Sequence, residues 1–297
     1  MFRLGTRGSP LALVQANMVR AALIAAHGWA DVEIVTIRTT GDRVQDRALA
    51  DIGGKALWTK ELDRALIAGE VDACVHSMKD VETIRPPEIA IAATLARADV
   101  RDRLIGADSI ASLRDGARVG TSSPRRAAQL RRLRPDVSTV LFRGNVDTRL
   151  AKLSAGEVDA TLLAAAGLDR LGRPDVGVAI APETMLPAPA QGAVGIETLA
   201  DGAARALVAA IDHAPTHRAI ATERAFLAAL GADCHSPVAA LASIEGDGVL
   251  LRGQLLTPDG EEAVEGTAMG SPEETARRLS RDLLDRASPV LRALFQG

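Results

Sequence analysis

Two pairs of matched segments recur along the chain in the same order, and this repeat restricts the fold more than any other feature. RLGTRGSP at Arg3 to Pro10 is answered by RVGTSSP at Arg118 to Pro124, and AGEVDA at Ala68 to Ala73 returns unchanged at Ala155 to Ala160. Each copy reads as strand, Gly-Thr turn, Ser-Pro helix start, strand, helix, AGEVDA, strand. Ala, Gly and Val are common here, so one match would carry little weight. Two pairs in one order predict two similar α/β domains, of the kind also found in periplasmic solute-binding proteins, facing each other across a cleft.

The remaining segments fill in that plan. Ser9 caps and Pro10 opens a helix expected to run to about Ala26, and Ser123 with Pro124 does the same in the second copy. Val32 to Thr39 reads as a strand, and Leu62, Ala65 and Leu66 share a helix face that Gly69 can end. The charged run Arg97 to Arg103 is expected as a crossover. FRGNVDTRL predicts a helix with Val146, Leu150 and Leu153 facing inward. MLPAPAQG at Met185 to Gly192 reads as a hinge, with Gln191 at its edge, after which AVGIE returns as a strand to the first domain. A helix over Thr216 to Leu230 ends at Gly231. VAALASI, VLLRGQLLT and AVEGTAMG alternate as strands, and Ser271 with Glu274 suggests a capping box around Pro272. The expected domains are α/β domain 1 (1–96 and 193–212), α/β domain 2 (100–188), and a small α+β C-terminal domain 3 (215–297).

Composition excludes several classes. With 297 residues, 47% of them hydrophobic, the chain can bury two or three cores. A formal net charge of -3 argues against a general nucleic-acid or anionic-membrane binder. Cys74 and Cys234 are the only cysteines, which gives no disulfide framework and no cysteine-rich zinc site, and no metal is expected. Leu11 to Ala26 is interrupted by Gln15, Asn17 and Arg20, so it reads as an amphipathic helix and not as a signal peptide. No run is long and apolar enough to span a bilayer. The expected location is cytoplasmic.

Chemistry concentrates at strand ends. VDACVHSMKDV at Val71 to Val81 is a strand-like run that stops in His76, Ser77, Lys79 and Asp80, the pattern of a carboxylate facing a crevice. The same residues equally describe a polar loop with a capping Asp. From Arg118 to Lys152 nine Arg or Lys stand against Asp136 and Asp147. Arg125 and Arg126 fall in the first turn of a helix, where cations are unfavourable unless an anion meets them. Arg131, Arg132 and Arg134 read as a solvated helix face. Gly53 and Gly54 before Lys55 suggest a loop able to approach a ligand.

With TRGSPLA, GGKALWTKEL, HSMKDV, GTSSPRR, RGNVDTRL, AAGLDRLG, QGAVGIE, ERAFL and the Cys234 loop taken together, the chain resembles the hydroxymethylbilane synthase family, also called porphobilinogen deaminases. The resemblance covers essentially the whole chain. It implies a transferase that joins four porphobilinogen units head to tail, releasing ammonia each time, in tetrapyrrole and haem biosynthesis. It also implies a dipyrromethane cofactor held by a thioether to Cys234, and a monomer. Asp80 matches the family carboxylate that stabilises the cationic, azafulvene-like electrophile and manages the proton lost on coupling. Arg7, Ser9, Lys55, Lys79, Ser123, Arg125, Arg126, Arg143, Arg149 and Arg170 match residues that hold the acetate and propionate groups of the pyrroles.

The chain departs from the family pattern at four places. Trp58 stands where Phe is usual, Asp51 where Lys is usual, and Pro124 where Leu is usual. Asp233 replaces the Gly before the cysteine, and a carboxylate beside the thiol is expected to slow cofactor loading. Cys74 is expected in the core. Two other readings stay open from the residues: a non-catalytic binding protein for a small anion, and a relative that binds tetrapyrrole without turnover.

Overall fold

The computed structural model describes residues 1–39 and 59–295. The AGEVDA repeat is explained by its hydrogen bonds. At the end of the helix Lys60–Ile67, Gly69 adopts φ 69° and Glu70 N-H donates to Ala65 C=O while Gly69 N-H donates to Leu66 C=O. At the end of the helix Val146–Ser154, Gly156 adopts φ 75° and makes the same pair of bonds with Leu153, Glu157 reaching Lys152. Both are Schellman closures, which need a residue tolerant of left-handed backbone. The aspartate that follows is a latch. Asp72 N-H donates to Arg3 C=O (2.9 Å) and its carboxylate accepts from Arg3 N-H (2.8 Å). Asp159 does the same with Arg118, at 2.8 and 2.6 Å.

These latches set the register of two five-stranded sheets. In chain order the strands are β1 (Phe2–Arg7), β2 (Val32–Ile37), β3 (Ala73–Ser77), β4 (Ile89–Thr94), β5 (Asp102–Ile105), β6 (Arg118–Gly120) and β7 (Ser138–Val140). Then come β8 (Ala160–Ala164), β9 (Val178–Ala179), β10 (Val194–Leu199), β11 (Val238–Glu245), β12 (Gly248–Leu256) and β13 (Ala263–Gly270). The first sheet has the order β2-β1-β3-β10-β4 and the second β7-β6-β8-β5-β9. In each, three parallel strands are followed by one antiparallel strand, β10 or β5. The repeat read from the sequence is therefore a repeat of topology. A third sheet, β11-β12-β13, is an antiparallel meander covered by the helix Pro272–Arg286.

The chain divides into two compact units, Met1–Ala98 with Gly192–His217, and Asp99–Gln191 with Arg218–Gly297. The first unit packs Leu4, Val19, Leu23, Val75 and Ile196 between its sheet and the helix Pro10–His27. The second unit holds two cores, one around Leu104, Val119, Leu130 and Leu162 and one around Phe226, Leu251, Leu279 and Leu283.

Several expectations change in detail. The segment expected as a crossover ends inside a strand, because Asp102 opens β5. The helix Val146–Ser154 has no buried residue, and Val146, Leu150 and Leu153 are only half-buried. The Ser271 hydroxyl donates to the Glu274 carboxylate (3.4 Å) and does not cap the helix nitrogens, so the reciprocal box is not formed. Met185 to Gly192, read as a hinge from its prolines and alanines, is almost wholly buried. Pro187 C=O accepts from Ala240 N-H, and the buried Glu223 carboxylate accepts from Ala190 N-H and from Ala242 N-H. Short side chains there serve close packing.

The equivalence of the two latches is testable. Asp72→Ala and Asp159→Ala each leave a strand-end N-H group without its acceptor, and each is expected to lower stability. Urea unfolding of the two variants should give losses of similar size.

Candidate functional site

Because β1 runs parallel to β3, their carboxyl ends share one edge of the first sheet. Arg7 ends β1, and Ser9 caps the helix Pro10–His27, its hydroxyl accepting from Ala12 N-H at 3.3 Å. Past β3 the chain makes a single 3-10 turn, Met78–Asp80, that carries Lys79 and Asp80, both half-buried. The turn is held from below. Met78 N-H donates to Ala193 C=O, and the Met78 side chain fills the space over Gly195, where an added Cβ would lie 2.0 Å from its sulfur. From the side, Gln15 exchanges hydrogen bonds with the Ser77 hydroxyl at 2.8 and 3.0 Å. In the sequence Gln15 only interrupted an apolar run, and nothing there pointed to this contact.

A buried ionic cluster lies behind the turn. Glu197 on β10 is fully buried, with His76 Nε2 3.1 Å from one carboxylate oxygen and Arg85 donating to both at 2.8 and 2.9 Å. Burial alone would raise the Glu197 pKa, but His76 and Arg85 outweigh it and bring it from an ordinary 4.5 down to about 2. A carboxylate in the middle of an otherwise apolar strand was the available sign that a partner must exist.

In the second unit β6, β7 and β8 are parallel, and the segments that follow them carry the expected cationic residues. Ser123 caps the helix Pro124–Leu133, accepting from Arg126 N-H at 3.4 Å. Arg143 follows β7 and is buried, and Gly144 (φ 120°) turns the chain into Asn145, which caps the helix Val146–Ser154. Arg149 reaches back from that helix to Gly144 C=O (2.9 Å) and the Ser122 hydroxyl (3.2 Å). Arg170 ends the helix Ala165–Arg170 after β8, and its burial pulls its pKa below the ordinary value against the influence of Asp169.

The anion facing the first-turn arginines is internal. Arg125 and Arg126 are both buried and donate to the two oxygens of Asp102, at 2.8 and 2.6 Å. Gln191, 1% exposed, donates to the same carboxylate (2.8 Å) and to Val100 C=O. Burial disfavours the charged form of Asp102, yet the two guanidiniums hold its pKa far below the carboxylate range. Two cations against one carboxylate leave one formal positive charge. The Nε-H groups of both arginines are buried without an acceptor among the described residues.

Cys234 is exposed on the loop after the helix Ala214–Ala229. Asp233 shapes that loop: its carboxylate accepts from His235 N-H (2.8 Å) and its own N-H donates to the Ser236 hydroxyl (3.1 Å). Cys74 is in the core as expected, its thiol pushed well up by burial and by nearby Glu197. Lys55, Asp51, Trp58, Gly53 and Gly54 lie outside the described residues.

A folded-state pKa of about 2 at Glu197 means stability that is fully present above pH 4.5 and lost as the pH falls toward 2. Glu197→Gln is expected to melt lower than the wild type at pH 7 and to lose less between pH 4.5 and 3, as read by melting temperature against pH. Gly195→Ala is expected to displace Met78 and lower the melting temperature.

Comparison with known proteins gives one consistent result. Residues 2–206 match the family model described as porphobilinogen deaminase, dipyromethane cofactor binding domain, and residues 217–287 match the porphobilinogen deaminase C-terminal domain. A porphobilinogen deaminase of Sphingopyxis alaskensis is 60% identical, the alignment covering 99% of this chain and 96% of that protein. One of Paracoccus denitrificans is 50% identical over 95% of this chain and 96% of that protein. Among solved structures, substrate binding domain 2 of Lactococcus lactis GlnP in the open conformation has a TM-score of 0.44 at 12% identity, covering 77% of this chain and 90% of that one. With family models matched across both its larger and its C-terminal part, the chain belongs to the porphobilinogen deaminase family.

Proposed function

We propose that this chain is a transferase that condenses four porphobilinogen molecules head to tail, releasing ammonia at each step, to give the linear tetrapyrrole hydroxymethylbilane. Beyond family membership, the observation that supports this most is the Asp102, Arg125 and Arg126 cluster. It buries one uncompensated positive charge and two Nε-H donors that lack acceptors. Such a group favours a bound carboxylate, and pyrroles carrying acetate and propionate supply carboxylates.

The residues present fit a dipyrromethane. Its attachment needs an accessible thiol, and Cys234 is exposed and outside any disulfide. Its acidic side chains need cationic and hydroxyl donors, and Ser123, Arg125, Arg126, Arg143, Arg149 and Arg170 belong to the same unit as Cys234. Arg7, Ser9 and Lys79 in the first unit, together with Lys55, complete the set assigned to carboxylates. Once attached, the cofactor supplies the pyrrole end to which each new unit is joined.

Asp80 is the catalytic carboxylate in this reading. As ammonia leaves porphobilinogen, positive charge develops on the substrate pyrrole, and a carboxylate already held on a short turn stabilises it without reorganisation. The same group then takes up the proton released on coupling. Asp233 orders the turn that presents Cys234, and in this reading a carboxylate next in sequence to the attacking cysteine slows cofactor loading. Gln191 ties the end of the buried segment to Asp102. We place the enzyme in the cytoplasm as a monomer; no helix among the described residues is long and apolar enough to cross a membrane.

Intact mass of the denatured protein tests the assignment of Cys234. An excess of two condensed pyrrole units is expected in the wild type and none in Cys234→Ala; no adduct after incubation with porphobilinogen would favour a binding protein. Asp80→Asn is expected to stay folded and carry the adduct but to lose at least about a hundredfold in turnover, within the usual range for acid-base groups. Asp233→Gly is expected to load its cofactor faster than the wild type, and equal loading rates would remove the role given to Asp233.

A further inference from the structure

Arg85 is the most fully coordinated side chain near the Asp80 turn, and the family reading gives it no task. It lies five residues beyond Asp80, in the segment between the turn and β4, with only 9% of its side chain exposed. Its guanidinium makes five hydrogen bonds. Nε donates to Glu197, one terminal nitrogen to Glu197 and Asp63, and the other to Glu82 (2.8 Å) and the Thr59 hydroxyl (3.2 Å). Thr59 in turn donates to Glu82 at 2.6 Å.

The partners bracket the turn. His76, two residues before Met78, meets Glu197, and Glu82, two residues after Asp80, meets Arg85. The far end of the segment 76–82 is therefore fixed to the cation directly, and the near end lies against Glu197, which the cation also binds. Three carboxylates converge on it, one fully buried and two partly so, and removing the cation would leave like charges that repel one another. Glu197 is held in a central strand and Asp63 on a helix, so the carboxylate that would shift is Glu82, two residues past Asp80.

We propose that Arg85 is a positioning residue for Asp80: it clamps the far end of the turn and so fixes where the catalytic carboxylate points. This rests on the reading of Asp80 given above. Its consequence is specific. An error in the position of a carboxylate affects the charge-developing step more than it affects the holding of substrate carboxylates by other residues.

The test is a double-mutant cycle read by steady-state kinetics on the cofactor-loaded enzyme. Arg85→Gln is expected to lower kcat at least tenfold, with KM for porphobilinogen within twofold of wild type and the normal cofactor mass. In an Asp80→Glu background, where the carboxylate is already displaced, the same substitution is expected to change kcat less than twofold. The same fold-loss in both backgrounds, or a raised KM with unchanged kcat, overturns the proposal. Glu82→Gln, which leaves Arg85 its other partners, provides a milder variant should Arg85→Gln not fold. It is expected to show a smaller loss of kcat that likewise disappears with Asp80→Glu, and a persisting loss counts against the clamp. Wild-type kcat in Asp80→Glu alone would instead remove the role of Asp80, a result separable from the others.

Discussion

The aspartate latch at the start of each repeat is the constraint on which most of this structure depends. The hydrogen bonds that Asp72 makes with the Arg3 backbone, and Asp159 with the Arg118 backbone, fix how the first strand of each copy meets the strand after AGEVDA. A shift of one residue would turn every side chain of β3 or β8 to the opposite face. With the register fixed and the strands parallel, the segments after them leave from one edge. Arg7 and the Asp80 turn then share an edge in one unit, as do Ser123 and the Arg170 helix in the other.

A second regularity concerns the antiparallel strand of each sheet. β10 carries Glu197 and β5 carries Asp102, each a buried carboxylate engaged by arginine from elsewhere in its own unit. Burying such a group is unfavourable unless its oxygens are fully satisfied, and here both are. Their arginines differ in what is left over. All the donors of Arg85 are spent within the protein, whereas Arg125 and Arg126 keep Nε-H groups without acceptors. Similar buried pairs thus serve two ends, one closing the cluster behind a turn and the other leaving capacity for an anion.

The sequence revealed most where a local rule is strong. The Ser-Pro helix starts, the glycine closure at Gly69 and the three strands of the C-terminal meander were all readable, because each depends on neighbouring residues alone. Partnerships across long stretches of chain were not readable. Nothing local links Arg85 to Glu197, 112 residues away, or Gln15 to Ser77, and Asp102 looked like one more charge in a polar crossover. Met185 to Gly192 was only partly readable: proline and alanine suit a solvated linker, whereas this segment, which ends where one unit passes to the other, is buried and irregular, and Ala190 N-H finds Glu223. The place of Arg125 and Arg126 in the first helical turn pointed to a bound anion, and the carboxylate the fold sets against them is Asp102, brought there by tertiary packing.

The strand order also bears on how the chain matures during synthesis. In the first sheet β3 and β4 are separated by β10, which begins at Val194, whereas every strand of the second sheet lies between Asp102 and Ala179. As the chain leaves the ribosome, the later sheet has all its strands before the earlier one does. The nascent first unit must wait with a gap beside β3, its edge exposed, until the polypeptide returns to fill it.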